Sequence, residues 1–550
     1  MAQLVLGPLL RYVGETEATV WVETDCPCDV EVLGHRAQTF TVEDHHYALV
    51  VIRGLEPGEA HTYEVALDGE RAWPEPDSPY PGSAIRTLHP ERPIEFAFGS
   101  CRVSAPHEPP ATLSGDENAE GHGVDALHAL ATRMITDPSD RWPHLLLLLG
   151  DQIYADDLPP GMLDYIEARR TGSEAPLDQA ADYEEYTRLY WNAWQDPTIR
   201  WLLSTVSTAM IFDDHDVHDD WNISRSWVDE MRRLPWWHER ITSGFMSYWV
   251  YQHVGNLSPD ELEAEGRLAE VQAAGDASEL LREFAVKADR EASGTRWSYH
   301  RDLGRTRLIV MDSRAGRVLE EDGERKMIDD EEWEWVEEHA TGDFDHLLVA
   351  TTIPVLLSPG MHDLEAFSEA ICDGVWGPRA ARRGEELRRA IDLEHWAAFQ
   401  DSFLRVAELL RAVGSGERGT PPASITMLSG DVHHAYLVEV GFPRGSGVTS
   451  NVYQAVCSPF RNPLGRVERS CMRALVSRPA AMVGRAFARA AGVPAPPIRW
   501  RYSQEPTFDN QVATIDLDGR QACLRIEKSL PQGEDEDAPR LHVSLERQLA

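Results

Sequence analysis

The stretch Ala423-Ser424-Ile425-Thr426-Met427-Leu428-Ser429-Gly430-Asp431-Val432-His433-His434 runs from an apolar segment into a glycine, a carboxylate and two imidazoles. A second apolar segment, Ala435-Tyr436-Leu437-Val438, follows at once. A strand that ends in Gly, Asp and His delivers hard oxygen and imidazole ligands at a loop mouth. In an extended segment Asp431 and His433 point to one side and His434 to the other. Three earlier apolar runs end in similar chemistry: Gly99-Ser100-Cys101, Gly150-Asp151-Gln152-Ile153-Tyr154 and Asp213-Asp214-His215-Asp216. Singly, each has an ordinary reading: an Asp after a strand caps a helix, a Cys fills a core, a Tyr packs. Together the four strand ends predict a metal site.

The donor types suggest the ions. Asp151 follows five consecutive leucines and a glycine, so a buried parallel strand ends there and exposes it at the carboxyl edge of a sheet. A carboxylate can bridge two cations, and Tyr154, three residues on, can reach the same ion. A phenolate ligand needs a strongly acidic metal such as ferric iron. With the thiolate of Cys101 it suits a transition metal and poorly suits calcium or magnesium. Asp214, Asp431 and Asp213 supply hard oxygens, which suit calcium, manganese or magnesium.

Composition sets the frame. The chain has 550 residues, 42% of them hydrophobic and 17 of them Trp, enough for a large core and more than one domain. Its net charge of −40 argues against a nucleic-acid scaffold. It does not exclude phosphate substrates, because bound metals reverse the local field. Seven cysteines, an odd number, form no disulfide framework. The longest apolar runs are too short to span a bilayer. Met1 to Leu10 lacks a basic export region or a twin-Arg pair. The expectation is a cytoplasmic monomer with reduced thiols.

Along the chain, Ala18–Glu23, His46–Ile52 and His61–Leu67 are β-rich and separated by turn residues. They predict a small all-β sandwich over residues 1–92, and Gly54-Leu55-Glu56-Pro57-Gly58, leading to Tyr63, resembles a fibronectin type III corner. That corner is expected to pack on the next domain. Dense proline between Trp73 and Pro93 cannot join a central sheet. Residues 93–550 then alternate strands and helices, an α/β pattern. Strands are expected at Leu145–Leu149, Thr208–Phe212, Thr306–Met311, His346–Thr351, Ser424–Leu428, Tyr436–Val440 and Val452–Cys457, with a hairpin at Gln511–Leu517 and Gln521–Ile526. Residues 257–292 read as an acidic, solvated helix pair. Residues 464–501 hold eight Arg against Glu468, a net +7. They read as a helical hairpin whose arginines pair with the acidic body, or as a basic lid that draws in anionic substrate or makes a weak lipid-surface contact.

The four loops, with Met311-Asp312-Ser313-Arg314 and the stretch Trp333 to Glu337, resemble the alkaline phosphatase D (PhoD-like) branch of the metallophosphoesterases over residues 94 to 526. The resemblance implies a four-layer αββα sandwich preceded by the small all-β domain. It implies Fe(3+) held by Cys101, Asp151, Tyr154 and His433, and Ca(2+) held by Asp151, Asp214 and Asp431, with Mn, Mg or Zn as substitutes. The implied reaction on a small phosphoester is attack by a metal-activated hydroxide, with His215 protonating the leaving alkoxide and Arg314 clamping phosphate. The chain departs from the pattern at Asp216-Val217-His218-Asp219-Asp220-Trp221-Asn222, where acids stand in an ordinarily Asn-rich stretch. The alternatives are a phospholipase D-like phosphodiesterase acting on lipid head groups, or a non-catalytic metal- or phosphate-binding protein.

Overall fold

The structure, a computed structural model, describes residues 1–170, 175–320, 325–531 and 539–550. Its centre is a pair of facing sheets. One has six strands in the order Ser207–Ile211, Leu145–Leu149, Ile94–Gly99, Gln511–Asp518, Gln521–Leu530 and Arg540–Gln548. Its first three strands are parallel, and the rest form an antiparallel meander. The other has seven strands in the order Tyr299–Leu303, Thr306–Met311, His346–Thr351, Ser424–Ser429, Asn451–Val456, Tyr436–Gly441 and Arg499–Tyr502. The strands expected from apolar runs form within a residue or so of their predicted ends, except that the second hairpin strand runs on from Gln521 to Leu530, four residues past the expected Ile526.

The parallel strands of both sheets are buried on both faces, which is why they are apolar throughout rather than alternating. In the seven-stranded sheet Leu348, Ala350 and Leu428 point into the core shared with Phe96, Phe98 and the leucines of the six-stranded sheet. Their neighbours Leu347, Val349, Ile425 and Met427 point the opposite way, onto Trp333, Val406 and Leu410 of the helices Asp330–His339 and Gln400–Ser415. The helix Ala126–Thr136 places Ala126, Leu127 and Leu130 on the outer face of the six-stranded sheet. The layers are therefore helix, sheet, sheet, helix.

Residues before this body build two four-stranded antiparallel sheets. One runs through Leu4–Val13, Glu17–Thr24, His45–Arg53 and Phe40–Val42, the other through His35–Gln38, Asp29–Val32, Val65–Leu67 and Glu70–Trp73. Val20, Val22 and Val50 of the first meet Val30, Val32 and Val65 of the second in a core of their own. The segment His61–Leu67 is not one strand: it breaks at Tyr63, whose hydroxyl donates to the Ser204 carbonyl at 2.6 Å in the neighbouring helix. The corner thus packs against the α/β body.

Two expectations need correction. Residues 257–292 form three helices, Pro259–Glu265, Arg267–Ala274 and Ser278–Arg290, rather than a solvated pair. Leu262, Leu268, Val271, Leu281 and Phe284 are buried in the main core. Thr41 N–H donates to Gly275 O at 2.7 Å and Ala277 N–H to Thr41 O at 2.8 Å, so this acidic segment is joined to the first β sheet. Its acids lie on the outer face, where Arg53 pairs with Asp260 and Glu263. In 464–501 the expected hairpin forms from Arg466–Leu475 and Arg478–Ala490, but the last residues of the segment join the seven-stranded sheet as Arg499–Tyr502. No helix among the described residues is long and apolar enough to cross a membrane.

Candidate metal centre

The four loops meet where the carboxyl ends of the two sheets come together. Cys101 follows Ile94–Gly99, Asp151 follows Leu145–Leu149, Asp213 and Asp214 follow Ser207–Ile211, and all three strands belong to the six-stranded sheet. Asp431 and His433 follow Ser424–Ser429 of the other sheet. Two glycines allow this approach. A Cβ on Gly430 would lie 2.1 Å from Ser100 Oγ, and one on Gly150, whose φ is +97°, would lie 2.4 Å from Asp213 Cβ. The Gly-Asp pairs are spacing devices that let loops from different strands touch.

Cys101, Asp151, Asp431 and His433 all have left-handed backbones, with φ of +56°, +52°, +65° and +51°. Asp431 and His433 therefore do not share a side by strand alternation: the segment is a tight bend, not an extended strand. For non-glycine residues the conformation costs on the order of 1–3 kcal/mol each and persists only where surrounding structure enforces it. Here the supports are hydrogen bonds between loops. Ser100 Oγ accepts from Asp431 N–H at 2.9 Å, and Asp216 Oδ2 accepts from the N–H groups of both Asp151 and Asp213 at 2.9 Å.

The side chains fall into overlapping triads whose ligand atoms lie within 4.8 Å of one another: Cys101, Asp151 and His433; Asp151, Asp214 and His215; and Asp213, Asp214 and Asp431. Asp151 belongs to two of them. Tyr154 is buried beside the first, its hydroxyl accepting from Asn462 Nδ2 at 3.1 Å and its ring 4.9 Å from that of His215. His434 lies outside all three: its Nδ1 meets the Val432 carbonyl at 2.6 Å and its ring stacks between Tyr436 and Phe508.

The electrostatics fit cations. Both carboxylate oxygens of Asp151 and Oδ2 of Asp213 are buried without a hydrogen-bond partner. Burial, reinforced by neighbouring carboxylates, holds Asp151 and Asp213 well above the usual carboxylate range and raises Asp214. Burial, then Asp151 and Asp431, pushes the Cys101 thiol far up, and burial with Asp151 and Cys101 does the same to Tyr154. Burial takes His433 down to about 4, leaving a neutral imidazole. Such crowding of acids in low dielectric is costly unless positive charge is supplied. Thiol and phenol lose their protons here only to a strongly acidic metal. The acids of the departing stretch add to it: Asp219 is pushed up to about 7 and Asp220 to about 9, chiefly by burial.

Arg314 does not face open space as a phosphate clamp. It is fully buried; Nε donates to Asp213, Nη1 to Glu394 at 2.5 Å, and Nη2 lies 3.3 Å from Asp214 and 3.7 Å from Asp431. Two of its nitrogens are held by Asp213 and Glu394, while Nη2 is buried without a hydrogen-bond partner beside Asp214 and Asp431. Its charge therefore stands as a countercharge to the oxygen-rich triad.

Several residues were missed in the sequence. Asp156 Oδ1 lies 2.9 Å from His215 Nδ1. Burial alone would lower the imidazole, but Asp156, Asp214 and Asp151 outweigh it and hold His215 well above its ordinary value. His395 meets Glu365 at 2.8 Å through Nδ1 and Asp431 at 3.4 Å through Nε2. Asp156 follows Tyr154 by two residues, so proximity to the loop was a usable signal. His395 lies before a short 3-10 turn rather than at a strand end, where nothing local marks it.

Comparison with known proteins agrees with the fold. Residues 123–278 match the PhoD-like phosphatase family, a span that includes the Asp151 and Asp214 loops, and residues 1–85 match a domain of unknown function, DUF7800. A solved structure of PhoD superposes over 100% of this chain and 92% of its own, with a TM-score of 0.59 at 13% identity. A purple acid phosphatase from seeds of yellow lupin (Lupinus luteus) covers 95% of this chain and 71% of its own, with a TM-score of 0.45 at 11% identity. No curated protein matches. Residues 123–278 thus match a PhoD-like phosphatase domain, and the chain shares the fold of PhoD.

Proposed function

We propose that the four-loop centre hydrolyses small phosphoesters with two bound cations. Cys101, Asp151, Tyr154 and His433 would hold ferric iron. Asp151, Asp214 and Asp431 would hold the second ion, calcium by preference, with manganese, magnesium or zinc as substitutes. The observation that carries this reading is Asp151: fully buried, unpartnered at both oxygens and shared between two triads. The cations, when bound, lower the pKa of water and neutralise phosphoryl oxygens.

The protein's own groups do the rest. His215 keeps a proton because Asp156 holds Nδ1, leaving Nε2, 3.9 Å from Asp219 Oδ1, to deliver that proton to the departing alkoxide. Its side chain is 22% exposed, so the leaving group can reach it. Arg314 and His395 hold Asp214 and Asp431 in place.

The test is elemental analysis of the purified protein with a panel of monoesters and diesters, in wild type and Asp151→Asn. Iron with a visible tyrosinate absorption band, lost together with hydrolysis in the variant, is expected. A colourless protein that retains full activity would exclude ferric iron at Tyr154.

One observation supports a second reading, in which lipid phosphodiesters are substrates. In the helix Arg478–Ala490, Met482, Val483 and Phe487 are 75%, 55% and 47% exposed. Phe487 meets Phe367, which in turn meets the half-exposed Trp376. Arginines and exposed apolar groups on one hairpin suit an anionic lipid surface. Arg485 is paired with Asp363, Arg466 with Asp116, and Arg473 stacks over Phe508, which leaves Arg469, Arg478 and Arg489 of the hairpin for the test. Reversing those three charges should release the protein from phosphatidylglycerol vesicles; unchanged vesicle binding and an unchanged KM would sink this reading.

A further inference from the structure

Away from the four-loop centre, a second set of ligand atoms converges. His107 lies in the loop that leaves Cys101, His128 in the first turn of the helix Ala126–Thr136, and Asp196 caps the helix Pro197–Thr205. One ligand atom from each lies within 4.8 Å of the other two. The two imidazole rings stack at 3.9 Å between centroids, and His107 Nε2 lies 3.7 Å from Asp196 Oδ2. Among the described residues neither ring makes a hydrogen bond, although the His107 side chain is only 15% exposed.

The scaffold around them is held in place. Asp196 Oδ1 accepts from the N–H groups of Thr198 and Ile199 at 3.0 and 3.1 Å, which aims Oδ2 at His107. The loop carrying His107 is tied on both sides: Ser104 Oγ donates to Asn192 O at 2.6 Å, and Arg461 Nη2 donates to Pro106 O at 2.8 Å. Two neutral imidazoles and a pre-oriented carboxylate are the donor set of a zinc-class divalent ion, with water as the fourth ligand. Metal–nitrogen and metal–oxygen bonds of about 2.0–2.2 Å require the three atoms to draw closer together, which rotation of the two rings supplies.

We propose that His107, His128 and Asp196 form a second metal site for a zinc-class divalent cation, which fastens the loop leaving Cys101 to two helices. The proposal is independent of what the four-loop centre binds or hydrolyses.

The test uses the full-length protein, stripped with a chelator and reloaded with Zn(2+), with bound zinc counted by elemental analysis after gel filtration. Asp196→Asn keeps an oxygen for the helix cap but removes the anionic ligand, and His128→Gln removes an imidazole. Each variant is expected to bind one equivalent less than wild type. Asp151→Asn, which damages the four-loop centre, is expected to keep that equivalent. Zn(2+) should also raise the thermal midpoint of the Asp151→Asn protein, but not that of an Asp151→Asn, Asp196→Asn double variant. Equal zinc counts in wild type and Asp196→Asn, or an equal thermal rise in the single and double variants, would overturn the site.

Discussion

Nδ1 of His215 lies 2.9 Å from Oδ1 of Asp156, a residue contributed by a different loop. The carboxylate fixes which ring nitrogen is turned inward and favours the charged imidazole, so under the proposed mechanism the opposite nitrogen would carry the transferable proton. Asp156→Asn should lower kcat by about 10²-fold for alkyl phosphoesters, whose leaving alkoxide needs a proton. It should act much less on a nitrophenyl ester, whose leaving group is stable as an anion. Equal losses on both substrates, measured with metal content unchanged, would show that the pair acts through something other than proton delivery.

Arg314 sits among Asp213, Asp214, Glu394 and Asp431. Removing its charge leaves buried acids uncompensated, a loss on the order of 3–5 kcal/mol. Arg314→Met should therefore lower the unfolding free energy and lose the second cation, with chelator sensitivity rising in parallel. A variant with wild-type metal content and stability but a raised KM would point instead to a substrate-clamp role.

The strands were legible because two-sided burial writes itself as continuous apolar runs: Leu145–Leu149 and His346–Thr351 form where the runs lie. The residues that cluster at the centre were legible because each loop breaks such a run with Gly or Asp. The local geometry that brings them together was not. It depends on left-handed backbones at Asp431 and His433, which no local pattern announces. The partners Asp156, His395 and Glu394 were hidden for a related reason: each acts on a residue far away in the chain, as His395 does on Asp431. The surroundings of Arg314 were hidden because its motif marks a strand end without revealing the four carboxylates around it. The helices of 257–292 were misread because their acids, spread over every turn, mask the apolar residues that dock them.

Gly430 offers a sharper test of how the loops meet. Its missing Cβ leaves room for Ser100 Oγ, which in turn holds the Asp431 N–H. Gly430→Ala should push the two loops apart, displace Asp431 and reduce second-metal occupancy. The expected outcome is a folded protein with circular dichroism close to wild type and activity that recovers partly at high calcium. Activity and metal content equal to wild type would mean that the two sheet edges tolerate the separation.

His45 joins the first β sheet to the α/β body, with Nδ1 at 2.9 Å from Glu23 and Nε2 at 2.8 Å from Glu184. Burial opposes its charge, but the two carboxylates outweigh burial and raise it to about 9 from an ordinary 6.5. The folded state therefore binds the proton more tightly than the unfolded chain. The resulting stability is fully present below pH 6.5 and is lost as pH rises through about 9. The loss should be on the order of 1–3 kcal/mol, reduced by the partial exposure of Glu184. His45→Gln keeps hydrogen bonding without charge, so it should be less stable than wild type at pH 6 and match it near pH 10. Urea unfolding across that range measures both, and parallel stability profiles for the two proteins would show that this junction carries no pH-dependent share of the fold.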